Sequence, residues 1–340
     1  MMLTTLLLAA LLLAPLLLFG LTEEILIRDG VEAVLPFFEG RLTAGTLPGK
    51  GGAPLSYRIH EPTESIGALV LLGGRTESQA KYAELMFDLA RSGRTLYILD
   101  HRGQGFSGRM LADPHKGHVE RFEDYVEDLE KFMEEVVRPE RHPGGTLLLA
   151  HSMGGAIAVL YAAEHPVDGL ILSAPMLAIR TAPLPRPAAA ILARTLTTLG
   201  LGRAYVPGGK PYNPDEPFEG NVLTGCQVRF ELNQRLIERF PETALGGPTN
   251  RWADEAFRAC GRAIEEARRI RAPILLLEAG ADRVVSPKGP QALRDAAPQT
   301  RHLVLDGARH ELLMEKDEIR DRAIEAIFAF LDREMNNGRV

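Results

Sequence analysis

One serine separates an apolar run from a run of small residues in "LLLAHSMGGAIAVL", residues 147–160. The stretch "TLLLA" at 146–150 predicts a buried strand and "MGGAIAVLYAAEH" from 153 predicts a helix, so Ser152 falls at the apex of a sharp corner. Such an apex holds its residue in a strained conformation, with the side chain out in the cleft and small neighbours on either side. Ala150, Gly154 and Gly155 supply those neighbours. The helix also aims its N-terminus, with free N–H groups, at the spot where an anion would form. These are the requirements of a serine nucleophile; a tight packing turn is the bland alternative.

A serine nucleophile needs a base, and the base needs a carboxylate to hold its tautomer. In "PILLLEAGADRVVSP" Asp282 lies just past a predicted strand beside Gly280, whereas Glu278 still falls within that strand. In "RHLVLDGARHELLMEKDEIR" His310 follows strand and turn, whereas His302 stands at the strand's start, away from the cleft at the carboxyl ends. Ser152, Asp282 and His310 are therefore assigned as nucleophile, acid and base. The chemistry is acyl transfer: the imidazole takes the serine proton as an acyl carbonyl is attacked, and water later releases the acyl-enzyme. The oxyanion would receive one backbone N–H from Met153 and one from Arg75, in the loop "GGRTES" that Gly73 and Gly74 let close in.

Strand-like runs at 68–72, 95–99, 146–150, 169–173, 273–277 and 302–305 alternate with helical stretches such as "KYAELMFDLARSG" and "RFEDYVEDLEKFMEEVV". Because these runs are apolar without alternation, they suit strands covered on both faces. The expected fold is α/β, a doubly wound and mostly parallel sheet. A core of residues 22–175 and 272–340 is interrupted by a proline- and glycine-punctuated insertion, 176–271, far longer than an ordinary connection and read as a lid. The terminal stretch "DEIRDRAIEAIFAFLDREM" carries the apolar stripe of a helix packed on the sheet.

Residues 1–21 carry no charged side chain and as a helix would span about 30 Å, close to one hydrocarbon core. A membrane anchor is favoured over a cleaved signal peptide, since no Lys or Arg precedes the run and no small-x-small site follows it. A net charge of −6 without a long basic run argues against a nucleic-acid partner. Cys226 and Cys260 show no metal-ligand spacing and read as buried free thiols; neither a metal nor a cofactor is expected. The glycine-rich "DHRGQGFSGR" lacks the order of a dinucleotide fingerprint, so Asp100, Arg102 and Ser107 are expected to brace the serine corner.

"LLLAHSMGGAI", "DHRGQGFSGR", "DPHKGHVERFEDYVEDL", "GGPTNRW" and "GARHELLMEKD" together make the chain resemble the serine hydrolases of the α/β-hydrolase superfamily, in the monoacylglycerol lipase and lysophospholipase branch. The likeness runs over about residues 55–335 and is closer to the bacterial inner-membrane lysophospholipases than to the monoacylglycerol lipases. Two departures stand out: Ala150 replaces the first glycine of G-x-S-x-G, and Gly-Gly-Arg at 73–75 replaces a His-Gly-x oxyanion motif. The resemblance implies hydrolysis of the single acyl ester of a lysophospholipid at the bacterial inner membrane. Monoacylglycerol lipase or general carboxylesterase activity is the alternative, and a non-catalytic binding role of the fold a more distant one. It also implies an acyl channel in the lid, for which "AAAILARTLTTLGLG" is a candidate, simple core being the other reading. The Arg75 guanidinium, close to the ester, is a candidate partner for the head-group phosphate, the alternatives being a salt bridge to Glu77 or a solvated side chain.

Overall fold

The computed structural model describes residues 20–337. Its eight strands are β1 (Thr43–Pro48), β2 (Pro54–His60), β3 (Ala68–Leu72), β4 (Thr95–Leu99), β5 (Thr146–His151), β6 (Gly169–Ser173), β7 (Ile274–Ala279) and β8 (Thr300–Leu305). They form one sheet in the order β1-β2-β4-β3-β5-β6-β7-β8. From β4 to β8 all pairings are parallel, and β1 and β2 add an antiparallel edge. The parallel strands match the apolar runs of the sequence. The edge hairpin was not among the expected strands: β1 is mostly exposed, and its glycines and prolines leave no apolar run to find.

The helices are α1 (Glu23–Asp29), α2 (Leu35–Gly40), α3 (Ala83–Leu89), α4 (Glu123–Phe132), α5 (Met153–Glu164), α6 (Arg186–Leu196), α7 (Gln227–Arg239), α8 (Asn250–Ala267), α9 (Lys288–Ala296) and α10 (Asp317–Asn337). Val70 and Leu72 of β3 face one core with residues of α4, α5 and α8, whereas Leu69 and Leu71 face a second core with α3 and α10. This two-sided burial is the physical reason the strand sequences lack alternation.

Between β6 and β7 the expected insertion contributes α6, α7 and α8. Its last part behaves differently from the rest. Thr249 caps α8 by accepting from the Trp252 N–H, and Ala256, Ala259, Cys260 and Ala263 pack against the sheet-covering layer with α5. α7 is held to the core through Arg229, whose Nη2 lies 2.7 Å from both Glu84 and Asp317. The apolar stretch expected to line an acyl channel is two-sided: Ile191 and Leu199 are 67% and 70% exposed, whereas Ala193 is buried and Leu192 and Leu196 are half-buried, and none of its residues lines the Ser152 cavity. Among the described residues no helix is long and apolar enough to cross a membrane. The proposed anchor at 1–21 lies outside them apart from Gly20 and Leu21.

Candidate active site

β5 ends at His151 and α5 starts at Met153, leaving Ser152 alone at the corner with φ 49° and ψ −113°. A non-glycine residue in that region is strained, and here neighbours on every side enforce it. The Ser152 N–H donates to the Ser173 carbonyl at 3.1 Å, and its own carbonyl accepts from Met176 at 2.8 Å. A Cβ on Gly154 would stand 2.3 Å from the Leu72 carbonyl oxygen, and one on Gly155 would stand 2.6 Å from the Pro175 Cβ. Both glycines are thus what allows α5 to start directly against the ends of β3 and β6. Ala150 is fully buried in the middle of the sheet, paired with Leu72 and Leu172, and its methyl is accommodated there.

The loops after β7 and β8 bring Asp282 and His310 to this corner. Ser152 Oγ lies 2.8 Å from His310 Nε2, and His310 Nδ1 lies 2.8 Å from Asp282 Oδ2. An ionised carboxylate only accepts, so Nδ1 carries the proton and Nε2 is left to accept from the serine hydroxyl. Asp282 Oδ1 accepts the N–H groups of Val284 and Val285 at 2.7 and 2.9 Å. Burial opposes its ionisation, but His310 and these two donors outweigh that and hold the carboxyl below its ordinary range. The alternative acid and base meet each other instead, Glu278 lying 2.7 Å from His302 away from the corner.

The loop after β3 closes the other side. Gly74 is pressed between Glu77 and the serine corner, where a Cβ would stand 3.1 Å from His151 Cδ2 and 3.2 Å from Ser152 Cβ. Its N–H donates to the Glu77 carboxylate. Among the described residues, no acceptor is hydrogen-bonded to the N–H of Met153, at the first position of α5, or to that of Arg75, next to Gly74. The loop after β4 supports this donor loop rather than the serine corner it was expected to brace. Gln104 Nε2 donates to the Gly74 and Glu77 carbonyls at 2.7 and 3.2 Å. Asp100 accepts from Gln79 and Phe106, Ser107 Oγ donates to the Asp100 carbonyl, and Arg102 pairs with Asp128 on α4.

Sequence reasoning missed a buried charge cluster behind the site. Lys81 Nζ lies 2.8 Å from Glu77 and 2.6 Å from Glu311, all three side chains being nearly fully buried. Burial works against the Glu77 carboxylate, yet Lys81, His151 and Tyr82 hold its pKa at about 2. His151 packs 4.9 Å from the His310 ring, and burial depresses its pKa to about 4, keeping it neutral. The i,i+4 spacing of Glu77 and Lys81 was a visible signal for half of this cluster. Glu311 joins it only through the fold. The expected alternative of an Arg75–Glu77 salt bridge does not form, because Lys81 occupies Glu77.

Ser152, His310 and Arg75 open onto a cavity of about 280 Å³ whose apolar wall includes Met176, Ile179, Leu223, Trp252 and Val285. A family model described as serine aminopeptidase, S33, matches residues 63–317, and the chain belongs to that hydrolase family. It is 40% identical over 282 residues to Lysophospholipase L2 of Escherichia coli (strain K12), covering 78% of this chain and 80% of that protein. It is 28% identical over 286 residues to the monoglyceride lipase of Rattus norvegicus, covering 81% and 86%. Among solved structures, a thermostable carboxyl esterase from Bacillus coagulans superposes with TM-score 0.71 at 19% identity, covering 86% and 99%, a likeness of fold alone.

Proposed function

We propose that this ester hydrolase cleaves the single acyl ester of lysophospholipids to a fatty acid and a glycerophosphodiester. The observation that carries this reading is the unbroken hydrogen-bonded chain from Ser152 Oγ through His310 to Asp282, 2.8 Å at each link, at the edge of an apolar cavity. His310 takes the serine proton as Oγ attacks the ester carbonyl. The N–H groups of Arg75 and Met153 receive the oxyanion, each such donor being worth about 3 kcal/mol. His310 then returns the proton to the glycerol alkoxide, and a water activated by the same imidazole hydrolyses the acyl-enzyme. Asp282 stays ionised and steadies the imidazolium.

Residues 176–271 act as the cap: Met176, Ile179, Leu223, Pro248 and Trp252 from this stretch wall the cavity. The 28% identical lipase keeps monoacylglycerol as the second substrate to test. For residues 1–21 we retain a membrane anchor, supported by the absence of any charged side chain. Removing them should move the protein from the membrane to the soluble fraction.

Fatty acid release from lysophosphatidylethanolamine tests the reading. Ser152→Ala should lose about 10⁴-fold or more in kcat and no longer react with a fluorophosphonate probe. A wild-type protein that cleaves monoacylglycerol but leaves lysophospholipid intact would overturn the substrate assignment.

A further inference from the structure

Most of the large buried cations of this chain are matched by carboxylates. Lys81 has Glu77 and Glu311, Arg102 has Asp124 and Asp128, Arg229 has Glu84 and Asp317, and Arg320 has Asp88. Arg75 is different. Its Nη1 donates to the Gly246 carbonyl at 2.7 Å, and its guanidinium carbon lies 5.6 Å from the centre of the Trp252 ring, but among the described residues no carboxylate is in ion-pair contact. Partial burial removes some of the group's water without an anion in return, which lowers its pKa to about 10. Among the described residues, no acceptor is hydrogen-bonded to the remaining N–H groups of the fork.

Its position is as informative as its charge. Arg75 lines the Ser152 cavity and also a second cavity of about 650 Å³, whose wall includes Lys210, Tyr212, Asn213 and Glu216. Arg75, Thr76 and Leu223 are common to both. Gly246 and Trp252 hold the guanidinium from the cap side. Gly117 leaves it room, since a Cβ there would stand 3.3 Å from Nη1.

Resting on the lysophospholipid reading, we propose that the Arg75 guanidinium seats the phosphodiester of the substrate, with the polar head group extending into the second cavity. In a lysophospholipid only the glycerol backbone separates ester from phosphate, so a cation beside the nucleophile meets an anion that a monoacylglycerol lacks. The planar fork takes two phosphate oxygens at once, which a lysine would not reproduce. The carboxylate of the released fatty acid offers similar chemistry, and the test separates the two.

Wild type, Arg75→Met and Arg75→Lys are compared on lysophosphatidylethanolamine and on monoacylglycerol of the same chain length. In Arg75→Met the ratio of kcat/KM for the first over the second should fall about 30-fold, the scale of a lost charge-assisted pair. Arg75→Lys should fall less. An equal loss on both substrates overturns the proposal. In a second arm, hydrolysis of p-nitrophenyl butyrate is inhibited by glycerophosphoethanolamine or by decanoate. Arg75→Met should raise the inhibition constant of the phosphodiester about 30-fold and leave that of decanoate within a few-fold. The reverse pattern assigns the cation to the product carboxylate and overturns the proposal. If wild type cleaves no lysophospholipid, the functional reading fails, while the inhibition arm still reports on the anion seat. Should Arg75→Met not fold, Arg75→Lys carries both arms.

Discussion

The buried Lys81 and the half-buried Arg75 are two cations on one stretch of chain beside the same nucleophile, and their surroundings are opposite. Lys81 is clamped between two carboxylates, one on the donor loop and one on the turn that carries His310. Arg75 has a carbonyl, an indole face and an open cavity. A shielded charge that the fold neutralises is scaffold: it joins two loops that would otherwise be free to drift apart, and removing it strands its partners. A charge without a carboxylate gains less from the fold: among the described residues, buried Arg94 is held by the Gly144 and Gly145 carbonyls alone, whereas Arg75, with one carbonyl and an indole face, also borders the Ser152 cavity, which is what makes it available to a ligand.

The comparison can be broken at either end. The largest effect is expected from Lys81→Met, which leaves Glu77 and Glu311 unmatched inside the protein. Urea unfolding should show a loss of about 3–5 kcal/mol, and kcat should fall about 100-fold as the donor loop and the histidine turn loosen. Neutralising the whole cluster with Glu77→Gln, Lys81→Met and Glu311→Gln together should recover stability to within about 2 kcal/mol of wild type. If the triple variant is as unstable as the single one, the cluster matters for packing rather than for charge.

Acid sharpens the same point. The Glu77 carboxyl is held at about 2 in the folded protein against an ordinary value of 4.5. Its contribution is therefore present above pH 4.5 and lost as the pH falls toward 2. Unfolding free energies measured over this window should fall less steeply in Lys81→Met than in wild type. The smallest effect belongs to the other cation. Arg75→Met should change stability by less than about 1 kcal/mol, or raise it, because no anion is left behind. A loss comparable to that of Lys81→Met would mean that Arg75 is scaffold as well.

Legibility in the sequence followed burial. β3 to β7 could be read because a strand covered on both faces must be apolar throughout, whereas the half-exposed hairpin of β1 and β2 left no such trace and the edge strand β8 showed only the short run at its end. The stretch around Ile191 and Leu199 could be read only in part for a related reason: apolar character marks a tendency to leave water, but not which side of the helix is covered or by which neighbour. At the site, the small residues flanking Ser152 could be read because a strained corner excludes larger ones. The hydrogen bonds to the competing pair, Glu278 with His302, could not.

The residue types and their order along the chain were enough to specify a serine at a strand-to-helix corner, followed by an acid and a histidine after later strands, because those constraints are local and steric. Only the folded chain decided which charges are matched. Coulomb attraction in a water-poor interior depends on separation in space, and Glu311 reaches Lys81 across two loops while among the described residues no carboxylate reaches Arg75.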